Sequence, residues 1–506
     1  MSREHEPIRF DTFNGLYNRG TIVDTPMDHF SQCNNLKFIG DNSFGSRDGI
    51  GIHLDLAAPV KNIKRIYNYP TADKQTLLVL VDGGEIYHVV DALTVYGPIL
   101  TIAAMTDFGF VPYAGRAYIT PFTTELVGEL NRERGLTGEF LYVYKGDGTA
   151  ARKAAGAGPT VNVTVANGAA GHTDAGVHIF GYVFETDTGY LSAPGGLVAF
   201  TTGAALSVSF STVAVSPLTH VTKRHLVASK VIQVYNGDVN GYQLFFIPGA
   251  TIPNNTATTL TNQSFYDQDL LLDASHLIDN FSQIPAGVGL ATYHNRLVTY
   301  CDYSNVSLAY ASAIGEPEAI NQIDGVMLMP PDGNPITNAA ELRDILYLFK
   351  RNKTGAFIDN GQEPAFWPYS GVDNAMGCGV HGLATVLDSG SSNIDYLLVA
   401  AYKGITLFNG RYILPELSWK IQTTWLAQDF KTKNRIIQIV NDSVNQLVYI
   451  VMTDRTIMHA NYANGYDPKN IRWCPWTFEI SEGVPVYINT VALVNVDELI
   501  FGCDQV

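Results

Sequence analysis

The sequence predicts an all-β protein, a six- or seven-bladed β-propeller interrupted by an inserted β-sandwich. Three observations carry that prediction. The 506 residues include 46 Gly, 27 Tyr and 24 Phe, and only 16% are charged. Aromatic and β-branched side chains suit a pleated surface, and Gly punctuates it. Next, a pair of apolar runs recurs at a fixed step. "ILYLFKRNKTGAFID" starts at Ile345, "YLLVAAYKGITLFNGR" at Tyr396, "LVYIVMTDRTIMHANYA" at Leu447 and "ELIFGCDQV" at Glu498, each 51 residues after the last. "LVTYCDYSNVSLAYAS" starts at Leu297, 48 residues before Ile345. A period near 50 indicates propeller blades or a related array. Finally, Tyr396 to Tyr402 shows no polar alternation, so these strands are expected to be buried on both faces, as in blades stacked around an axis.

Each unit contains more than its hairpin. Short apolar segments precede it: "VGLATYHN" (288–295), "GLATVLD" (382–388), "RIIQIVND" (435–442) and "YINTVALVN" (487–495). Looser stretches follow it, carrying Trp367, Trp419, and Trp473 with Trp476. One unit therefore reads as four strands. In the first half, "TLLVLVDGGEIYHVV" (76–90) is a hairpin with a Gly-Gly turn, and "GRAYITPF" with "FLYVYKGDGTAAR" (140–152) forms another unit. "TTELVGELNRERG" (123–135) is expected to form a helix stopped by Gly135. Six units are recognisable, and a seventh begins near Tyr487. An open ring edge invites aggregation, so strands within 34–56 are expected to complete the last blade.

Between residues 146 and 273 the period disappears. "KAAGAGPTVNVTVANGAAGH" (153–172) reads as a linker, and the following alternating runs have turn signals about every ten residues, as in a sandwich. The predicted organisation is a first propeller part with N-terminal closing strands over 1–152, the sandwich over 153–275, and the second propeller part over 276–506.

Composition narrows the function classes. With 48 acidic and 32 basic residues the formal charge is −16, and no Lys/Arg cluster offers phosphate contacts. Tight binding to nucleic acid or an anionic membrane is not expected. The N-terminus has no signal-peptide pattern, and no run approaches 18 uninterrupted apolar residues. Cys33, Cys301, Cys378, Cys474 and Cys503 are scattered without a C-x-x-C pair, which predicts reduced thiols and synthesis in a cytoplasm.

No catalytic, cofactor-binding or metal-binding residue is nominated. The twelve histidines show no paired ligand spacing. "YKGDGTAARKA" (144–154) lacks the P-loop pattern and reads as a hairpin turn. Asp267, Asp269 and Asp273 lack the Gly and Glu of a calcium loop. A propeller glycosidase needs two facing carboxylates; Asp302, Asp388 and Asp454 occupy comparable places in their units, but Asp at such points ordinarily satisfies turn backbone. The late Trp residues could stack on sugars, although packing between blades is the simpler role.

Several segments resemble the tail nozzle (tail tubular, or tail hub) proteins of bacteriophages. They are "FNGLYNRGTIVDTP" and "NNLKFIGDNSFGSRDGI", with Phe13 to Gly15 and Arg47 to Gly49 at the matching points, then "VYKGDGTAARKAAGAGPT", "FETDTGYLSAPGG", "YQLFFIPGATIPNNTATTLTNQSFYDQDL", "ILYLFKRNKTGAFID" and "GCGVHG". The resemblance implies an immunoglobulin- or fibronectin-like insert and a non-enzymatic structural virion protein of the tail, made in the host cytoplasm and serving DNA ejection. It implies a homo-oligomeric ring, six copies in the familiar examples, that docks head–tail adaptor or portal proteins and tail fibre or spike proteins. DNA would pass its channel without sequence-specific binding, and the chain would enter no membrane and need no cofactor. Two other readings stand beside it: a carbohydrate-binding or depolymerising propeller of a tail spike, and a cellular propeller scaffold.

Overall fold

The computed structural model describes residues 61–504 apart from 92, 128–129, 233, 236–237, 240, 281–283, 322, 388–393, 429–435, 482–483 and 495–497. Before residue 61 it describes Leu16 and the strands Leu36–Ile39 and Ser43–Ser46.

Six antiparallel sheets follow one another as blades, five of them four-stranded and the second five-stranded. Blade 1 runs from Ile63–Pro70 to Thr94–Thr101, and blade 2 from Asp107–Tyr113 to Arg152–Lys153. Blades 3, 4, 5 and 6 begin with Gly289–Tyr293, Ile336–Leu342, Leu383–Leu387 and Ile436–Asp442. A seventh unit, Ile488–Val494 paired with Glu498–Cys503, has two strands among the described residues. Its first strand lies beside the first strands of both blade 6 and blade 1, closing the ring. Side chains fasten this seam to backbone: Ile66 N donates to Thr490 Oγ1 (3.0 Å), and Asn489 Nδ2 to the Ile63 carbonyl (2.8 Å).

The repeat explains the burial. In blade 5, Leu397 pairs with Phe408 and Val399 with Thr406. Leu397, Val399 and Phe408 pack with Tyr347 and Phe349 of blade 4, whereas Leu398, Ala400 and Leu407 pack with Ile450 and Trp473 of blade 6. Alternate residues of one strand thus fill two different interfaces, so neither face is wet. Its Lys403 lies exposed in the turn that follows, while Gly404 is buried against Ser418 and Glu416.

The structure corrects three sequence expectations. Residues 123–135 are not a helix: Arg116–Val127 continues into a hairpin with Leu130–Gly135, pairing Thr123 with Arg134 and Glu125 with Arg132. Thr123, Thr124 and Val127 favour that extended backbone. Glu133 also gains a buried partner across the ring, since Arg351 Nη2 of blade 4 donates to both its oxygens at 2.8 Å. Gly135 stops no helix; a side chain there would collide with the Ala286 carbonyl. The N-terminal hairpin Leu36–Ile39/Ser43–Ser46 lies beside the outer strand Arg472–Trp476 of blade 6 rather than pairing with blade 7. The remainder of 34–56 lies outside the described residues. Within the supposed linker, Thr164–Ala170 is a strand.

That strand belongs to a two-sheet sandwich. Thr164–Ala170, Leu206–Ser211 and Leu260–Gln263 form one sheet. Gly195–Thr202, Gly176–Thr186, Val221–Ser229 and Leu244–Ile252 form the other in that order. Phe180, Tyr182, Leu226, Val208, Phe210 and Phe265 fill the space between them.

Candidate functional site

Two networks of buried polar groups stand out, one at the ring centre and one at the propeller–sandwich junction. At the centre, the first strands of blades 1, 2, 6 and 7 and the loop entering blade 5 converge. Arg65 is 4% exposed and donates from Nε and Nη2 to the two oxygens of Asp107 (3.1 and 2.6 Å). Arg65 Nη1 reaches Gln438 Oε1 (3.3 Å), which also accepts from Thr490 Oγ1 (2.7 Å) and Val491 N (3.1 Å). His381 completes the hub, with Nε2 3.0 Å from Asp107 Oδ2 and Nδ1 3.1 Å from Tyr67 Oη. The His381 backbone has φ +54°, a left-handed conformation that costs a non-glycine residue about 1–2 kcal/mol and that surrounding contacts must hold.

The electrostatics follow from burial and charge. Burial alone would raise the Asp107 carboxyl, but Arg65 and His381 hold it below the usual carboxylate range. Burial, aided by Arg65, lowers His381 and so favours its neutral ring. Burial raises the Tyr67 phenol. A cavity of about 170 Å³ adjoins the hub, lined by Tyr67, Phe110, Tyr300, Asn338 and His381. Asp107 is charge-compensated by Arg65 and hydrogen-bonded to His381, so the arrangement locks blades together.

At the junction, Arg152 of blade 2 donates to Asp187 Oδ1 from Nε (3.0 Å) and Nη2 (2.7 Å). It also donates to both oxygens of Glu318, each at 3.0 Å. Asp187 and Thr188 sit on a sandwich turn, whereas Glu318 belongs to blade 3 and is 1% exposed. Glu318 further accepts from Thr188 Oγ1 and from Ala155 N, and Lys145 Nζ lies 2.5 Å from Asp187 Oδ2. Asp187 stays low although burial opposes it, because Lys145 and Arg152 stabilise the anion. Ala155, Tyr190 and Ala319 form a small apolar contact beside this clamp.

The residues considered from sequence are used structurally. Asp302 is 3% exposed and accepts from Asn305 N (2.6 Å) and Tyr310 Oη (2.8 Å). Asp454 accepts from Thr456 N and Oγ1, and Asp388 lies outside the described residues. Asp267, Asp269 and Asp273 accept from the amides of Val231, Tyr266 and Ser275. "YKGDG" is a turn in which Gly146 and Gly148 both have φ +83°. Trp367, Trp473 and Trp476 are buried, Trp476 stacking on His459 at 4.6 Å, and Trp419 is half-buried. Cys301, Cys378 and Cys503 are free thiols, Cys474 is buried, and Cys33 lies outside the described residues. Sequence reasoning missed both networks. Arg65, Asp107 and His381 share no local motif, and Arg65 sits in a strand that also carries Lys64 and Asn68, so no single charge stood out.

No protein-family model matches the chain, and no curated protein matches it. Solved structures similar to it include the β-propeller domain of Cps50 (Swd1) from Myceliophteria thermophila. That match is 12% identical, with a TM-score of 0.27, covering 56% of this chain and 77% of the other. U3-55K is 10% identical, with a TM-score of 0.30 and coverage of 59% and 85%. Hsv2 from Kluyveromyces lactis is 9% identical, with a TM-score of 0.26 and coverage of 82% and 98%. At such distances the likeness concerns fold alone, and it extends no immunoglobulin kinship to the insert. No comparison supports the description in terms of virion, tail, nozzle and DNA ejection, which is withdrawn; the β-propeller stands on the strand topology.

Proposed function

We propose that the chain is a non-catalytic assembly platform, a propeller with a sandwich clamped onto it that organises other protein chains. Of the readings drawn from sequence, this is the propeller scaffold. The observation that carries it is the contrast between interior and surface. The hub and clamp spend their charges on each other, while large apolar side chains point outward. Ile323 and Phe366 are 77% and 62% exposed, and the Ala365 N to Asp324 carbonyl bond (2.8 Å) brings their chain segments together. Leu271 and Leu272 on the sandwich are 81% and 66% exposed. Exposed apolar groups gathered in this way mark contact surfaces for other chains. The excess negative charge favours protein partners over phosphate backbones.

Sedimentation velocity and electron microscopy of the full chain test the reading, with Ile323→Asp/Phe366→Asp as the companion variant. The expected result is association, with itself or with a co-purifying chain, that the variant weakens at least tenfold while the fold stays intact. A closed ring of six copies would reinstate the tail-nozzle resemblance. Hydrolysis of a polysaccharide, lost on changing one carboxylate, would overturn the platform reading.

A further inference from the structure

In blades 3 and 4 the strands pair in chain order, so the turns joining first to second strands lie on one face of the ring. On that face blades 3 and 4 bring four side chains together. His294 occupies the turn between Gly289–Tyr293 and Arg296–Tyr300. Asp344 lies in the corresponding turn of blade 4, Glu341 is near the end of the strand before it, and Asp359 follows the strand Thr354–Phe357. The ligand atoms of His294, Glu341 and Asp344 all lie within 4.8 Å of one another. His294 Nε2 is 4.0 Å from Glu341 Oε1 and 3.9 Å from Asp344 Oδ1. Its Nδ1 faces the other way, 3.4 Å from Asp359 Oδ2.

We propose that His294, Glu341 and Asp344 form a site for a divalent transition-metal ion of the zinc type, oriented by Asp359 and bridging blades 3 and 4. The separations suit three atoms around a shared centre at bond lengths of about 2.0–2.2 Å, with small side-chain movements. One imidazole with two carboxylates selects zinc-like ions over calcium or magnesium, which favour all-oxygen shells. A carboxylate on the far ring nitrogen is the usual outer partner of a metal-bound histidine, fixing its tautomer and orientation.

Two further observations set this group apart from ordinary surface acids. The imidazole is held in place: it stacks on Tyr293 with centroids 4.1 Å apart and planes 14° apart. Tyr293 Oη in turn donates to the Asp344 carbonyl (3.0 Å) and accepts from Asp359 N (3.0 Å). Also, among the described residues no lysine or arginine forms an ion pair with Glu341, Asp344 or Asp359, so three carboxylates converge on one histidine without a fixed cation. A bound dication would relieve that repulsion and join two blades.

The test is isothermal titration of chelator-treated full-length protein with Zn²⁺, repeated with Ca²⁺ and on the variants His294→Ala, Glu341→Gln and Asp359→Asn. Absorption of the Co²⁺ form reads coordination directly. One equivalent of Zn²⁺ should bind at least tenfold more weakly after His294→Ala or Glu341→Gln, and two- to tenfold more weakly after Asp359→Asn. Ca²⁺ should not compete. The residues are at the surface, so metal-free melting temperatures confirm that each variant folds. Failure of the parent protein to bind Zn²⁺, or binding unchanged by His294→Ala, overturns the proposal.

Discussion

The ring-centre hub and the propeller–sandwich clamp use the same chemistry for different ends. In both, an arginine grips carboxylate oxygens that are nearly buried: Arg65 holds Asp107, and Arg152 holds Asp187 and Glu318. The hub draws its members from blades 1, 2, 6 and 7 and the entrance to blade 5. The clamp joins two bodies that each have their own core. Losing a hub partner should therefore weaken the whole ring, whereas losing a clamp partner should free one body from the other. A buried ion pair matters chiefly through what its removal leaves behind, an uncompensated charge away from water.

The sharpest break is Asp107→Ala. It strands Arg65 and removes a partner of His381, so unfolding in denaturant should lose about 3–5 kcal/mol in a single transition. A hub that is incidental to the ring would give a loss below about 1 kcal/mol.

Leu398→Ala tests the apolar counterpart, the contact between blades 5 and 6. A cavity there should cost about 2–5 kcal/mol, the spread reflecting how far neighbours relax. The loss should appear in the same transition as that of Asp107→Ala.

Acid provides the next comparison. Burial, with a smaller contribution from Lys74, pushes His88 down from 6.5 to about 4. His88 lies between blades 1 and 2, with Nδ1 2.7 Å from Tyr144 Oη and Nε2 2.9 Å from Thr76 Oγ1. The unfolded chain takes up this proton first, so stability is intact above about pH 6.5 and falls as pH drops toward about 4. The loss should be roughly 2–3 kcal/mol. His381 is lowered too and acts in the same direction. The depressed carboxyl of Asp107 extends the loss below about pH 4, since the unfolded carboxylate there takes up a proton that the hub resists. In His88→Gln the slope between pH 6.5 and 4 should flatten.

Glu318→Gln is the mildest change. It keeps the shape but weakens the charge-assisted bonds from Arg152, Thr188 and Ala155 N, with an expected cost of about 1–3 kcal/mol. Limited proteolysis distinguishes it from the hub variants: cleavage near 153–163 should accelerate severalfold while the propeller transition moves little. Equal acceleration in Asp107→Ala would remove the distinction between the two networks.

Much of the propeller was legible from sequence because a blade is a local object. The 51-residue step places the second strands that the structure finds at Ile345–Lys350, Leu447–Met452 and Glu498–Cys503. The unbroken apolar run at Leu397–Ala401 signals burial on both faces, and the Gly-Gly turn at 83–84 has φ +84° and +69°. The failures share a different cause. Residues 123–135 carry helix-forming Glu, Leu and Arg, and it is the distant Arg351 that gives Glu133 a buried partner in the hairpin. No motif links Arg65, Asp107 and His381, nor does any link His294 to Glu341, Asp344 and Asp359.

The sequence by itself determined the strand-rich class, the repeating unit and the interruption by a second β domain, and left the count at six or seven blades. These follow from hydrophobic period and turn chemistry, which act over about ten residues. Only the tertiary structure decided how the seventh unit meets the first, which charges share the axis, how the sandwich is clamped, and which four side chains meet above blades 3 and 4. Such contacts depend on chain segments tens to hundreds of residues apart, and their geometry exists only once the ring has closed.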